Sequence, residues 1–468
     1  MLITINPEIF REYDIRGLAK EDLRPEVVTL LGQAAGRYFQ EHGESVVLIG
    51  RDNRLSSKRV RDNLVGGLLI AGCQVVDIGV VISPLLYYAR ELYKINAGLM
   101  ITASHNPPEF NGFKVALGAG TIHGAEIKKL YQIMEEINQE QQGQNPEVDS
   151  EQVEYREPAA DYLRMLTEKI KLGPRKLKVA VDCGNGTSSL FAEEYFNRLG
   201  CEVIPLFCES DGNFPNHQPD PVKSSNLATL RQTVLEQEAD LGIGFDGDGD
   251  RIGIVDNKGE IIWGDRLMIL YWREILPKYP GTPCIIEVKC SQALAEEVER
   301  LGGKPMFYKT GHSLIKAKMK EVGAVFTGEM SGHMFFADEY YGFDDAFYAA
   351  GRLLRILSNS DQTLNQMLAD VPKYYSTAET RIPCTDQDKF GVVERLRDEF
   401  QKTHEVIDVD GARVLFAGGW GLVRASNTQP VIVARCEAKT ESELEEISAT
   451  MKKALCEFPE VGEFEWEY

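Results

Sequence analysis

The chain lacks any basic excess. Its 468 residues carry 51 Lys and Arg against 72 Asp and Glu, a net charge of −21. Such a surface repels nucleic acid and anionic membrane, so an anionic substrate would have to be gathered by a local cationic cleft. Long hydrophobic runs are also missing. The longest, Val75–Tyr88, is broken by Asp77, Gly79 and Pro84, and no segment reaches the roughly 18 apolar residues of a membrane helix. The start, Met1–Phe10, has no basic stretch and contains Pro7, which argues against a signal peptide. Cysteine is sparse: nine are scattered singly, with no C-x-x-C pair, so a reduced, cytoplasmic protein is expected. No Walker A sequence is present, which counts against a P-loop nucleotide enzyme.

What is present is a recurring strand–helix–strand pattern. Val46–Gly50, Lys178–Asp182 and Cys284–Val288 read as strands. Helical stretches follow at Ser57–Ala71, Ser188–Leu199 and Gln292–Leu301, each ending on glycine before a further apolar stretch. Apolar strands alternating with helices imply parallel, doubly covered sheets, so three related α/β units are expected. The tail differs. Val414–Phe416, Gly421–Val423 and Val431–Ala434 read as strands in series, and Thr440-Glu441-Ser442-Glu443 has capping-box spacing before a helix to about Cys456. With the polar run Gln139–Val153, the turn Asp256–Glu260 and the connector Asp361–Tyr375 as joins, the expected domains are 1–150, 151–255, 256–370 and 371–468.

Four polar loops follow strands. In Leu99–Lys114, apolar Leu99-Met100-Ile101 leads into Thr102-Ala103-Ser104-His105-Asn106-Pro107-Pro108. Two prolines stiffen this loop, which holds the Ser104 hydroxyl where open α/β sheets place ligands, at a strand's carboxyl end. Asn111-Gly112 is expected to turn the chain and return Lys114. Ser104 and His105 are sequence neighbours, which is weak support for a Ser–His dyad.

Phe245–Arg251 reads F-D-G-D-G-D-R after an apolar strand. Asp246, Asp248 and Asp250 alternate with glycines, so their carboxylates can converge and repel unless a hard cation such as Mg²⁺ neutralises them. The EF-hand pattern fails, with Arg251 and Asn257 where Gly and Glu are needed. Gly242–Gly247 fits G-x-G-x-x-G, but no helical pattern follows it. In the third loop, Gly328–His333, Glu329 and Ser331 are two apart and suit vicinal hydroxyls, and His333 is a candidate proton handler. Lys289 ends the CIIEV strand, and Lys309–Ser313 is a similar polar loop. In the tail, Arg424 to Pro430 joins two strands and has the makings of a phosphate cradle.

These motifs, with Phe10–Gly17, Gly50-Arg51-Asp52 and Asp211–Pro221, resemble the α-D-phosphohexomutase superfamily over nearly the whole chain, most closely its bifunctional phosphomannomutase/phosphoglucomutase branch. The resemblance implies three related mixed-sheet α/β domains and a C-terminal α+β domain around a central cleft. It implies reversible conversion of hexose 6-phosphate and α-hexose 1-phosphate through a phosphoserine and a hexose 1,6-bisphosphate. Ser104 would carry the phosphate, and Asp246, Asp248 and Asp250 would hold one Mg²⁺ with a phosphoserine oxygen. Arg251, Lys114, His105 and Asn106 would surround the phosphoryl group, with Lys114 and His333 serving acid/base steps. Glu329 and Ser331 would read sugar hydroxyls. Arg424, Ser426, Asn427 and Thr428 would hold the second phosphate, and Tyr13, Arg16, Lys289 and His312 would line the cleft. Small sugar phosphates are the implied partners, without nucleic acid, membrane or an obligate protein. The run Ala337–Tyr341 departs from the more basic, Trp-containing family pattern. A phosphatase using Ser104, a phosphoglucosamine mutase (Gln in place of Met330) and a non-catalytic sugar-phosphate sensor are the rival readings.

Overall fold

The computed structural model describes residues 2–140, 153–427 and 429–467, so most of the Gln139–Val153 run lies outside the described residues. The chain forms two compact units. Residues 1–271 and 331–367 make one, and residues 272–330 and 368–468 make the other.

The first unit contains two mixed sheets. In one, the parallel strands Ala97–Ile101, Val46–Arg51, Gln74–Val80 and Val153–Tyr155 lie side by side. Phe110–Leu117 adds antiparallel to Ala97–Ile101, and Ile15–Leu18 adds beyond it. In the other, Leu241–Phe245, Lys178–Asp182 and Glu202–Leu206 are parallel, and Ile252–Asp256 then Ile261–Ile262 continue the sheet antiparallel. The helices Ser57–Ile70 and Ala192–Leu199 sit where the alternation places them, and Gly72 and Gly200 end them with φ of 82° and 87°. Only a residue without Cβ takes that backbone at no cost. The sheets are mixed because, in both, the strand that carries the polar loop is followed directly by an antiparallel return strand.

One local expectation needs correction. Asn111-Gly112 is not a turn; both residues lie inside the Phe110–Leu117 strand, paired with Gly17 and Arg16. Glycine serves close approach there, since a Cβ on Gly112 would stand 2.2 Å from the Ile15 carbonyl oxygen. The chain reverses earlier, at Ser104–Asn106. Asp256–Glu260 is a turn as expected, and it joins Ile252–Asp256 to Ile261–Ile262 as a hairpin at the edge of the second sheet.

Residues 331–367 return to the first unit. Ile252 N–H donates to the Gly332 carbonyl at 3.1 Å, and Arg251 bridges His333 in antiparallel register. The helix Ala346–Ser358 follows, capped by Asp345, which accepts from Tyr348 N–H. The acidic run before it is used by this helix: Asp338 pairs with Arg352 at 2.9 Å and Glu339 with Arg355 at 2.7 Å.

The second unit pairs Pro283–Glu287 with Lys304–Tyr308 in parallel around the helix Gln292–Arg300. It also holds a six-stranded sheet in which the described pairings are all antiparallel, including Ala412–Phe416, Gly419–Ala425 and Val431–Ala438. Helix Glu441–Cys456 opens at Thr440, whose side chain accepts from Glu443 N–H as the capping box predicts.

Candidate active site

Ser104 occupies a backbone conformation that L-residues avoid, with φ of 50°. Such a residue persists only where its surroundings over-determine it. Here they do. Arg54, fully buried, donates to four carbonyls of the loop: Ser104 at 2.8 Å, Asn106 and Pro107 at 2.6 Å, and Phe110 at 3.1 Å. Its Nε meets Asp52 at 3.1 Å, and Ser104 N–H donates to Thr102 Oγ1 at 2.9 Å. The bend brings His105 Nδ1 to 3.2 Å from Ser104 Oγ, so the sequence neighbours do face each other.

The Ser104 hydroxyl donates to Asp246 Oδ2 at 2.7 Å. Asp246, Asp248 and Asp250 are completely buried, and their ligand oxygens lie within 4.8 Å of one another. Gly247 permits the approach, because a Cβ there would stand 2.4 Å from the Ser104 carbonyl oxygen. Lys114 donates to Asp248 at 2.7 Å and also to Asp250, while Ser83 Oγ donates to Asp248 at 2.6 Å. Burial works against the Lys114 charge, but Asp248 and Asp250 outweigh it and hold the ammonium far above its usual range. Burial, then the charges of Asp250 and Asp248, push the Asp246 carboxyl well up. Asp250 stays ionised against burial because Lys114 and His333 face it.

The acidic set fits a hard divalent cation. All three ligands are carboxylates whose oxygens converge, and Asp248 Oδ1 has no hydrogen-bond partner among the described residues. A second buried cluster, Asp250, His333 and Asp344, shares Asp250 with the first.

His333 Nε2 lies 3.3 Å from Asp250 Oδ1, Arg251 Nε donates to the same nitrogen at 3.3 Å, and Ser331 Oγ is 3.2 Å from Nδ1. His105 is held neutral by burial, reinforced by Arg251 and Arg16. Arg16 donates to Asn106 Oδ1 at 2.8 Å and pairs with Asp14, and the half-buried Tyr13 lies in the same segment. The first unit thus assembles Ser104, His105, Lys114, the Asp triplet, Arg251, His333 and Arg16, and it also contains Tyr13 and Ser331.

The second unit contains Lys289, His312, Glu329, Arg424, Ser426 and Asn427; Thr428 lies outside the described residues. The division passes between Met330 and Ser331, so Glu329 and Ser331 belong to different units. Buried Glu287 ties two loops together, accepting from Thr310 Oγ1 at 2.5 Å and from Met330 N–H at 3.2 Å. Glu329 Oε1 accepts from Gly311 N–H at 2.8 Å. Asp410 Oδ2 accepts from Thr310 N–H at 3.1 Å and from Arg424 Nε at 2.8 Å. Lys289 reaches Glu379 at 3.0 Å, and its charge holds that carboxyl down at about 2.

Four segments match the domains of the phosphoglucomutase/phosphomannomutase family: alpha/beta/alpha domain I at 7–141, II at 160–259, III at 263–375, and the C-terminal domain at 379–454. A phosphomannomutase/phosphoglucomutase of Pseudomonas aeruginosa is 44% identical over 97% of this chain and 96% of its own. The chain belongs to the phosphoglucomutase/phosphomannomutase family. A phosphoglucomutase of Neisseria gonorrhoeae is 39% identical over 97% and 98% of the two chains. A crystal structure of a family protein from Burkholderia thailandensis superposes with a TM-score of 0.88 at 38% identity, covering 97% and 98%. The α-D-phosphohexomutase resemblance and the α/β class are therefore borne out.

In this family member, several supporting residues escape a reading of local motifs. Ser83 precedes a proline at a helix start, and Asp344 stands one residue before a helix cap. Neither has a local signature of contact with Asp248 or Asp250. Glu287 was more visible, as an acid inside the apolar stretch C-I-I-E-V. Arg54 follows Gly50-Arg51-Asp52, but its four carbonyl partners lie about fifty residues on.

Arg54 supplies a direct test of the loop. Arg54→Ala is expected to cost about 3–5 kcal/mol, the usual penalty for breaking a buried ion pair. Arg54→Lys keeps the charge but cannot span four carbonyls, and it should speed hydrogen exchange at the Ser104 and Asn106 amides. Unchanged exchange in both variants would show that the loop holds its own shape.

Proposed function

We propose that the chain is a phosphomannomutase/phosphoglucomutase that interconverts hexose 6-phosphate and α-hexose 1-phosphate of mannose and glucose through phospho-Ser104 and a hexose 1,6-bisphosphate. The observation that carries this reading is the Ser104 hydroxyl 2.7 Å from Asp246 within a buried acidic triplet, in a chain that spans nearly the full length of its curated relatives. We propose four domains, at 1–150, 151–255, 256–370 and 371–468; the four matched segments support their number and order, the second running on to 259 and the third to 375. A cytoplasmic location belongs to the same reading. Among the described residues, no helix is long and apolar enough to cross a membrane.

Phosphoryl transfer requires positioning and charge neutralisation more than covalent effort. In the forward half-reaction a sugar hydroxyl oxygen bonds to the phosphorus of phospho-Ser104, and the bond from phosphorus to Ser104 Oγ breaks. The hydroxyl proton passes to a base, for which the neutral form of His333 is suited, and Lys114, kept as an ammonium, neutralises charge near the serine. The bisphosphate then turns end for end, and its other phosphate returns to Ser104. Asp246, Asp248 and Asp250 would hold Mg²⁺, which supplies Lewis-acid polarisation of phosphoryl oxygens. Arg251, His105 and Asn106 would orient the phosphoryl group. Glu329 and Ser331 would read hydroxyls, and Arg424, Ser426, Asn427 and Thr428 would hold the phosphate that is not reacting. Tyr13, Arg16, Lys289 and His312 would line the substrate. The substrate partners are small sugar phosphates; the reading includes no nucleic acid, membrane or obligate protein.

A coupled mutase assay with mannose, glucose and glucosamine phosphates tests the reading as a whole. Intact-mass analysis should show one phosphate that Ser104→Ala lacks; a Ser104→Ala enzyme with near-normal kcat/KM in added bisphosphate would remove the covalent role. Asp248→Asn should weaken Mg²⁺ binding in calorimetry and lower kcat by roughly 10²–10³, the scale of losing one electrostatic stabiliser. Full activity after chelator treatment would sink the metal assignment.

Sugar choice gives a sharper outcome. Glucose and mannose differ at C2 and share O3 and O4, so a reader of O3 and O4 accepts both. Their kcat/KM values should lie within about tenfold, or 1.4 kcal/mol. Galactose 1-phosphate, inverted at C4, leaves the reader's polar groups unpaired and should be a poor substrate. Glu329→Gln should harm mannose and glucose turnover alike, and selective loss of mannose turnover would show instead that Glu329 reads C2.

A further inference from the structure

Two cysteines of the first unit meet at the ends of neighbouring strands. Cys183 follows Lys178–Asp182, and Cys208 lies two residues past Glu202–Leu206. Their Sγ atoms are 3.4 Å apart, although 25 residues separate them in sequence. We propose that Cys183 and Cys208 form a reversible dithiol–disulfide site that couples peroxide exposure to the geometry of the Asp246–Asp250 loop.

The two thiols are not equivalent. Cys183 is fully buried, whereas Cys208 is half-buried. Pairing of the two sulfurs holds the Cys208 thiol below its ordinary range, and the same pairing, with burial, raises Cys183 far above its own. Greater exposure and the lowered thiol make Cys208 the sulfur that meets the oxidant, and Cys183 the one that resolves it.

The chemistry balances with hydrogen peroxide as oxidant. The Cys208 thiolate attacks one peroxide oxygen, giving a sulfenic acid and hydroxide, which takes up a proton to become water. The Cys183 sulfur then attacks the Cys208 sulfur. The S–S bond forms, the Cys183 proton and the sulfenic hydroxyl leave as a second water, and both cysteines are oxidised while the peroxide is reduced.

Closure transmits to the acidic loop through short connections. A covalent S–S bond is about 2 Å, well inside the present separation, so closure pulls the two side chains together and loads the strand-end loops. They have little slack. Gly184, Asn185 and Phe207 have φ of 49°, 58° and 49°, and Asn185 N–H donates to the Phe207 carbonyl at 2.9 Å. Two residues on, Thr187 N–H donates to the Gly247 carbonyl at 2.9 Å, and a Cβ on Gly186 would stand 3.0 Å from Gly247 Cα. Gly247 lies between Asp246 and Asp248 and against the Ser104 carbonyl, so movement of residues 183–187 displaces the carboxylates and the serine together.

The functional consequence rests on the mutase reading; formation of the disulfide does not. Intact protein carrying Cys456→Ser, which removes the exposed thiol, is treated with hydrogen peroxide and then with dithiothreitol. Peptide mapping should find Cys183 linked to Cys208, with two fewer free thiols than before treatment. Mg²⁺ affinity by calorimetry and kcat/KM should fall by about ten- to a hundredfold, the scale for an ångström of misplacement at a reacting centre, and both should recover on reduction. Adding Cys208→Ser, or separately Cys183→Ala, should abolish the link and the peroxide effect. A missing Cys183–Cys208 peptide overturns the proposal, as does a linked form with unchanged Mg²⁺ affinity. A reduced protein with no mutase activity would refute the mutase reading while leaving the peptide and calorimetric results decisive for the thiol pair.

Discussion

Burying like charges together is the constraint on which the first unit depends. Asp246, Asp248 and Asp250 are fully shielded from water and within 4.8 Å of one another. Such an arrangement is costly unless opposite charge and hydrogen bonds are supplied at close range. The surroundings answer that demand from separate parts of the chain: Lys114 from the return strand, Ser83 from a helix start, Arg251 and His333 from the bridge between residues 251 and 333. Each is where the charge requires it, and none could shift without leaving an acid uncompensated. The converging carboxylates suit the cluster to a hard cation and keep Lys114 protonated, whereas burial and the charges of Arg251 and Arg16 keep His105 neutral against them.

The second constraint is mechanical. A serine in a left-handed backbone conformation is unfavourable by about 1–3 kcal/mol, and it survives because Arg54 binds four carbonyls around it. Charge and strain then meet at one place. Gly247 is the contact where the Ser104 carbonyl and the acidic turn touch, and any side chain there would separate them. The hydroxyl is thereby aimed at Asp246 by two loops that belong to different sheets. In the second unit the same economy appears with carboxylates used as ties. Glu287 fastens the loops at Thr310 and Met330, and Asp410 fastens Thr310 to Arg424. The loops of Glu329 and Arg424 are thus tied down by Glu287, which is buried, and Asp410, which is half-buried.

Much of this was legible beforehand. The alternation of apolar strands with glycine-ended helices gave the α/β units, because burial of a sheet on both faces and the left-handed exit from a helix leave local marks. The serine loop and the alternating Asp-Gly turn were equally plain, since their chemistry resides in adjacent residues. Asn111-Gly112 misled, because the signal for a tight turn is also the signal for a strand that must accept another backbone closely; only the neighbouring Ile15 carbonyl distinguishes the two.

By itself the sequence determined the element order, the identity of the chemical groups and the family, all of which depend on residue type and short spacing. The tertiary structure alone decided which groups meet. His333 joins the Asp250 side although 82 residues separate it from Arg251, Arg54 reaches a loop fifty residues away, and Cys183 faces Cys208 across parallel strand ends. The physical reason is that electrostatic compensation, backbone strain and thiol proximity are properties of distances in space. A chain read in one dimension records which residues are available for such contacts, whereas folding sets the separation at which each begins to act.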